Sequence, residues 1–273
     1  MFFKRKKAIV GAALGLAIVV TVSGILGMKV RRDAGVQATR IETRNQMDVD
    51  QLLQESTLNE IVKASSKGVV SSETTKVAYI TIDDGPSKYT NRLLNILKKN
   101  HVKATFFVIG PNMEKNKQEF RNIYNSGNSI GYHSMSHDIK KLYKSPQATL
   151  AEFDDCKAIM QKLVGDSSNL IRIPYGSKPY TPPASYNALV SNGYHIWDWN
   201  VDTLDWKSTS EQIVNNVMYY GKNSDELIVL IHEKEQSVRA LDTIIRILEN
   251  RGYDIRAISQ EQTPKNFWEG NIK

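Results

Sequence analysis

From residue 77 onward, short apolar runs rich in β-branched and aromatic residues alternate with segments whose apolar positions recur at helical spacing. Strands are expected at Val77–Ile82, Ala104–Ile109, Ser129–Tyr132, Leu170–Ile173, His195–Trp199, Leu227–Ile231 and Asp254–Ala257. Between them the periodicity predicts helices over Tyr89–Lys99, Lys117–Ser126, Pro146–Val164, Pro182–Ser191, Glu211–Tyr220 and Val238–Glu249. Ser145-Pro146 is a helix start, an N-cap serine followed by proline at the first helical position. Strands that are almost continuously apolar and separated by helices imply βαβ units and a parallel sheet covered on both faces. Seven of them predict an α/β fold with a closed or nearly closed (β/α) barrel of parallel strands. An open doubly wound sheet satisfies the same pattern.

The N-terminal part reads differently. Ala8 to Met28 is an uncharged run of 21 residues, which at about 1.5 Å per helical residue reaches about 30 Å, the thickness of a bilayer core. A secretory signal has a shorter apolar stretch and a small-x-small cleavage site, and none follows here, so an uncleaved transmembrane anchor is expected. Lys4-Arg5-Lys6-Lys7 is the denser basic flank and places the N-terminus in the cytoplasm. The expected location is the cell membrane, single-pass, with the rest of the chain outside. Residues 29–75 are polar, with one amphipathic stretch around Met47 to Lys63, and read as a stalk. The expected organisation is a basic N-terminus (1–7), an anchor (8–28), a stalk (29–75), the α/β domain (76–260) and a tail (261–273), with the segment after Ser259 a flexible end.

Charge alters this picture little. The net charge of +7 comes from seven basic residues up to position 32, where no acidic residue occurs; the other 29 Lys and Arg match 29 Asp and Glu. A nucleic-acid partner, which needs surplus clustered cations, is therefore not expected. No Gly-rich phosphate-binding motif is present, and nothing points to an obligate protein partner. Cys156 is the only cysteine and lies in a helix-like run, so it reads as a small buried hydrophobe. His101 and His195 read as structural or solvated. Trp197, Trp199 and the pair Tyr219-Tyr220 fit either core packing or a sugar-stacking platform.

Candidate chemistry gathers at the C-terminal ends of the expected strands, where barrel enzymes place their sites. Asp83-Asp84-Gly85 ends the first, His133 the third and Arg172 the fourth; Asp202 and Asp205 follow the fifth, and His232 ends the sixth. His133 and His137 are four apart, so one helical turn would put both rings on one side, as a metal-binding pair requires. With one strand-end carboxylate they would leave a coordination position open, as catalytic sites do; zinc is the default ion, and cobalt, nickel or iron suit the same donors.

Five ordered motifs resemble the polysaccharide deacetylases of carbohydrate esterase family 4, also called the NodB-homology domain, over about Lys76 to Ala257. They are Thr81-Ile82-Asp83-Asp84-Gly85, His133-Ser134-Met135-Ser136-His137, Arg172-Ile173-Pro174-Tyr175, Asp202-Thr203-Leu204-Asp205-Trp206 and Leu230-Ile231-His232. The resemblance implies a distorted (β/α) barrel with Asp84, His133 and His137 as metal ligands and Asp83 as general base. It implies Arg172 orienting Asp83, the Tyr175 N–H in the oxyanion hole, His232 as general acid tuned by Asp205, and Pro174, Trp206 and Leu230 about the substrate pocket. The implied reaction is metal-dependent hydrolysis of N-acetyl groups of a cell-envelope polysaccharide. Peptidoglycan N-acetylglucosamine is the expected substrate; chitin oligomers or acetylated xylan, or a non-catalytic glycan-binding role, are the alternatives. The intact Asp83-Asp84-Gly85 argues against muramic lactam substrates, whose relatives tend to show Asp-Asn-Gly. Glu233 departs from the pattern, since many relatives carry Asp after the histidine.

Overall fold

The computed structural model describes residues 76–272; the expected anchor, stalk and amphipathic stretch lie outside them. Among the described residues no helix is long and apolar enough to cross a membrane.

The chain alternates strand and helix in the order β1 (Lys76–Asp83), α1 (Thr90–Lys99), β2 (Thr105–Val108), α2 (Gly110–Lys115), α3 (Lys117–Asn125), β3 (Ser129–Tyr132), α4 (Ile139–Leu142), α5 (Pro146–Val164), β4 (Leu170–Ile171), α6 (Pro183–Ser191), β5 (His195–Ile196), β6 (Val201–Asp202), α7 (Ser210–Tyr220), β7 (Glu226–His232), α8 (Glu235–Asn250) and β8 (Tyr253–Arg256). All strand pairs are parallel, in the order β5-β4-β3-β2-β1-β7-β6, and β8 pairs with the first half of β1. No ladder joins β5 to β6 among the described residues, so the sheet is a distorted half-barrel rather than a closed one.

Strand period explains the two cores. Ala78, Ile80 and Ile82 of β1 face the helices with Leu227, Val229 and Ile231 of β7, whereas Tyr79 joins Phe107, Leu170, Trp197, Ile228 and Ile258 on the inner face. The same alternation carries Thr81 and Asp83 up that inner face, and the β1–β7 register sets Asp83 opposite His232. Gly131 of β3 leaves room for a ring: a Cβ there would lie 2.5 Å from Phe107 carbons.

The helix start at Ser145-Pro146 holds. Ser145 Oγ accepts the Ala148 N–H at 3.0 Å, Pro146 follows it, and Gly165 ends α5 in the left-handed conformation. Cys156 is buried on α5, and burial pushes its thiol pKa up, as an inert thiol requires.

Two expectations are corrected. The fifth strand stops at Ile196 instead of reaching Trp199, and an eighth strand, β6, forms against β7. The segment after Ser259 is not a free end. Asp198 N donates to Lys265 O at 2.8 Å, the Asp198 carboxylate accepts the Phe267 N–H at 2.7 Å, and Trp268 stacks on Tyr186 with ring centroids 4.6 Å apart. The polar composition of this tail concealed the two aromatics that dock it. Trp197 belongs to the core, while Trp199, Tyr220, Leu204, Phe267 and Ile272 line a cavity of about 420 Å³ beside the gap between β5 and β6.

Candidate active site

The strand ends bring together three groups of side chains. In the first, Asp83 ends β1 with 2% of its surface exposed, and its Oδ1 accepts from Arg172 Nη1 at 3.0 Å. Arg172 is fully buried on the inner face and also donates to Thr81 Oγ1 (2.6 Å), Trp197 O (2.9 Å) and Asp198 O (2.9 Å). Its guanidinium lies 4.3 Å from the Phe107 ring centroid. Burial pushes the Asp83 carboxyl up, against the lowering effect of the Arg172 charge. A buried cation with four fixed acceptors is a rigid mount for one carboxylate.

The second group is a cation cradle. Asp84 takes the left-handed conformation, φ 72°, and its Oδ1 lies 3.8 Å from His133 Nε2 and 3.7 Å from His137 Nε2. The three ligand atoms fall within 4.8 Å of one another. Asp84 Oδ1 is buried and accepts no hydrogen bond among the described residues. Such an atom costs stability unless a cation completes it. His133 Nδ1 lies 2.7 Å from Arg172 O, which makes Nδ1 the protonated nitrogen and leaves the Nε2 lone pair facing Asp84. Burial pushes the His133 pKa down to about 3, against the Asp84 charge, so the ring is neutral. These donors fit a divalent metal.

The histidines do not share a helical turn. They flank a loop in which Ser134 (φ 70°) and His137 (φ 49°) are both left-handed. Glu152 of α5 holds this loop: its Oε2 accepts the N–H groups of Met135 at 2.8 Å and Ser136 at 2.7 Å. Ser134 Oγ accepts the His137 N–H at 2.9 Å. Glu152 carries no local sequence signal, because its partners are backbone groups on another element.

The third group pairs His232 with Asp205. His232 Nδ1 lies 2.7 Å from Asp205 Oδ1, and Asp205 Oδ2 takes the His232 N–H at 2.6 Å and the Ser237 hydroxyl at 2.5 Å. Burial opposes charge on His232, but the hydrogen bond and charge of Asp205, with Asp83 and Asp84 beyond, push its pKa up to about 9. Burial also works against the Asp205 carboxylate, yet its hydrogen bonds and the His232 charge hold it below the usual range.

Tyr175 is left-handed (φ 67°), and its exposed ring meets His137 edge-on at 5.0 Å. Pro174 and Leu230 are buried, whereas Trp206 is 60% exposed with Lys207 Nζ 4.7 Å from its ring centroid. His101 and His195 lie outside the cradle, His101 exposed after α1 and His195 at the start of β5.

This arrangement has counterparts in known proteins. Residues 71–197 match the family model described as Polysaccharide deacetylase. A Bacillus cereus peptidoglycan-N-acetylglucosamine deacetylase is 37% identical over 204 residues, covering 72% of this chain and 74% of that protein. The chain belongs to the polysaccharide deacetylase family. Among solved structures, the polysaccharide deacetylase Bc1974 from Bacillus cereus superposes with a TM-score of 0.68 at 36% identity, covering 72% of this chain and 98% of that one. The catalytic domain of a peptidoglycan N-acetylglucosamine deacetylase from Eubacterium rectale gives 0.66 at 30% identity, covering 73% and 96%. The deacetylase is thus a hydrolase of N-acetyl amide bonds, and Asp83, Asp84, His133, His137, Arg172, Asp205 and His232 gather at its strand ends.

Proposed function

We propose that this deacetylase removes the N-acetyl group from N-acetylglucosamine in peptidoglycan, using a divalent metal held by Asp84, His133 and His137. One observation carries the reading: Asp84 Oδ1, without a hydrogen-bond partner among the described residues, sits 3.7–3.8 Å from two imidazole nitrogens, and the neighbouring Asp83, paired with Arg172, stands 3.7 Å from one of them and in register opposite His232. When bound, the ion supplies Lewis acidity toward the acetamide carbonyl and lowers the pKa of a water. Zinc suits this set of two imidazoles and a carboxylate; cobalt, nickel or iron are the competitors.

The chain's own groups divide the rest of the work. Asp83, fixed by Arg172, takes the proton from the attacking water at Oδ2, the oxygen that lies 3.7 Å from His133 Nε2. The Tyr175 N–H donates to the developing oxyanion, and loss of such a donor costs about 3–4 kcal/mol. His232, kept protonated by Asp205, gives its Nε2 proton to the leaving amine. Without that proton C–N cleavage would expel a strongly basic anion. Trp206, Leu230 and Pro174 border the acetyl pocket. The products are acetate and a free glucosamine amine.

Peptidoglycan is favoured because relatives across the catalytic region carry that substrate in their names; the intact Asp83-Asp84-Gly85 argues only against muramic lactam residues as the part of that polymer attacked. The apolar run Ala8–Met28 would tether the chain to the cell membrane with the site outside, where that polymer lies. The test is acetate release from peptidoglycan, chitin oligomers and acetylated xylan, with and without chelator. The expected result is chelator-sensitive release from peptidoglycan, and an Asp83→Asn variant that still binds metal but loses about 10²–10⁴-fold in turnover. Unchanged turnover in that variant removes the base assignment, and preferred release from xylan or chitin removes the substrate.

A further inference from the structure

Glu233 follows His232 in sequence, but its carboxylate belongs to the β1 end of the site. It is 6% exposed and accepts from Ser87 Oγ at 2.5 Å and from Thr90 Oγ1 at 2.7 and 3.0 Å, while its N–H donates to Asp83 O at 3.2 Å. A Cβ placed on Gly85 would lie 2.2 Å from Glu233 Oε1 and 2.7 Å from its Cδ, and the three nearest atoms all belong to Glu233. Gly85 is not in the left-handed region. A side chain at position 85 would have to displace the Glu233 carboxylate, which already fills that space and is held there by Ser87 and Thr90.

The Asp84–Ser87 turn is gripped from the other side as well. Asn112 Nδ2 donates to Asp84 O (2.8 Å), Ile109 N to Gly85 O (2.9 Å) and Asn116 Nδ2 to Pro86 O (2.8 Å). Three consecutive carbonyls are therefore tied to α2 and its flanks, and Glu233 closes the clamp through Ser87 and Thr90. Asp84 needs such a clamp, because its φ of 72° is unfavourable for a residue with a side chain.

We propose that Glu233 is a positioning residue that sets the Asp84 carboxylate against His133 and His137, coupling the strand end that bears His232 to the one that bears the metal ligand. This rests on the reading of Asp84, His133 and His137 as a metal site. Glutamate reaches Ser87 and Thr90 only because residue 85 has no side chain, so residues 85 and 233 form one unit.

The test measures zinc affinity of the full chain by chelator competition, alongside melting temperature in the metal-free form. Glu233→Gln keeps the shape but halves the acceptor capacity, and is expected to weaken zinc binding about tenfold, the lower end for partners that support metal ligands. The upper limb of the pH–rate profile, set by His232 and Asp205, stays where it was. Gly85→Ala alone is expected to weaken zinc binding at least as much, and Glu233→Asp, which retracts the carboxylate, to recover part of that loss in the double variant. Zinc affinity of Glu233→Gln within twofold of wild type overturns the proposal, as does a melting temperature that falls while affinity holds, which a simple brace for α1 would produce. A Gly85→Ala defect equally severe with Asp at position 233 overturns the spatial coupling. A wild-type chain that binds no zinc fails the metal reading itself, a result distinct from wild-type binding that Glu233→Gln leaves intact.

Discussion

His232 Nδ1 lies 2.7 Å from Asp205 Oδ1, and the other oxygen of the same carboxylate holds the His232 main-chain N–H at 2.6 Å. One carboxylate thus fixes both the position of the ring and its charge. The pKa near 9 stands above the ordinary 6.5, so the protonated ring persists through neutral pH. Its stabilising effect is complete below about pH 6.5 and is lost as pH rises through about 9. Acid catalysis by His232 follows the same direction, so kcat/KM should fall on the alkaline side near pH 9. Asp205→Asn should move that limb down toward 6.5 and reduce the rate at pH 8. A pH–rate profile from 5 to 10 checks this; an unmoved limb would separate Asp205 from the acid.

Asp84 should be a residue whose removal costs function and not stability. Its Oδ1 is buried and without a hydrogen-bond partner among the described residues, a state that costs about 1–3 kcal/mol. Asp84→Asn is expected to abolish metal binding while leaving the metal-free chain at least as stable as metal-free wild type. Urea unfolding in excess chelator measures it. A marked loss of stability would mean that the carboxylate has a structural partner.

Arg172→Lys retains the charge next to Asp83 but abandons Trp197 O and Asp198 O inside the half-barrel. One ammonium does not span those acceptors in the guanidinium's fork geometry. The expected loss is about 3–5 kcal/mol, the range for breaking a buried ionic network, read as a lower urea midpoint with the slope unchanged. Activity should fall with it, since Asp83 loses its mount.

Glu152→Ala should loosen the Ser134–His137 loop by freeing the Met135 and Ser136 N–H groups. Zinc affinity is expected to drop about tenfold, with little change in the metal-free melting temperature because Glu152 is only partly buried. Metal titration with a chelator indicator decides it.

Deleting residues 265–273 should destabilise the domain even though no proposed catalytic group is lost. Trp268 would leave Tyr186, Phe267 would leave Trp199, and the buried Asp198 carboxylate would lose the Phe267 N–H. A loss of about 2 kcal/mol or more is expected, a fall in melting temperature of about 4–8 °C for a domain of this size. Calorimetry of the full and shortened chains provides the measure.

Local pattern alone specified much of this protein. Alternation along β1 and β7, and the helical spacing between strands, are short-range properties, so they announced a parallel α/β sheet and put Asp83, His133, Arg172 and His232 at strand ends. Ordered motifs added the roles those positions imply. Tertiary structure decided what spacing does not encode. His133 and His137 converge through a left-handed loop, not a helical turn, because Glu152 captures its backbone from α5. The tail docks because Trp268 finds Tyr186 and Phe267 finds Asp198, residues about 70–80 positions away. Glu233 meets Ser87 and Gly85 across nearly 150 residues. These contacts join elements far apart in the chain, and their energy comes from burial and backbone capture at particular distances, which a one-dimensional pattern does not carry.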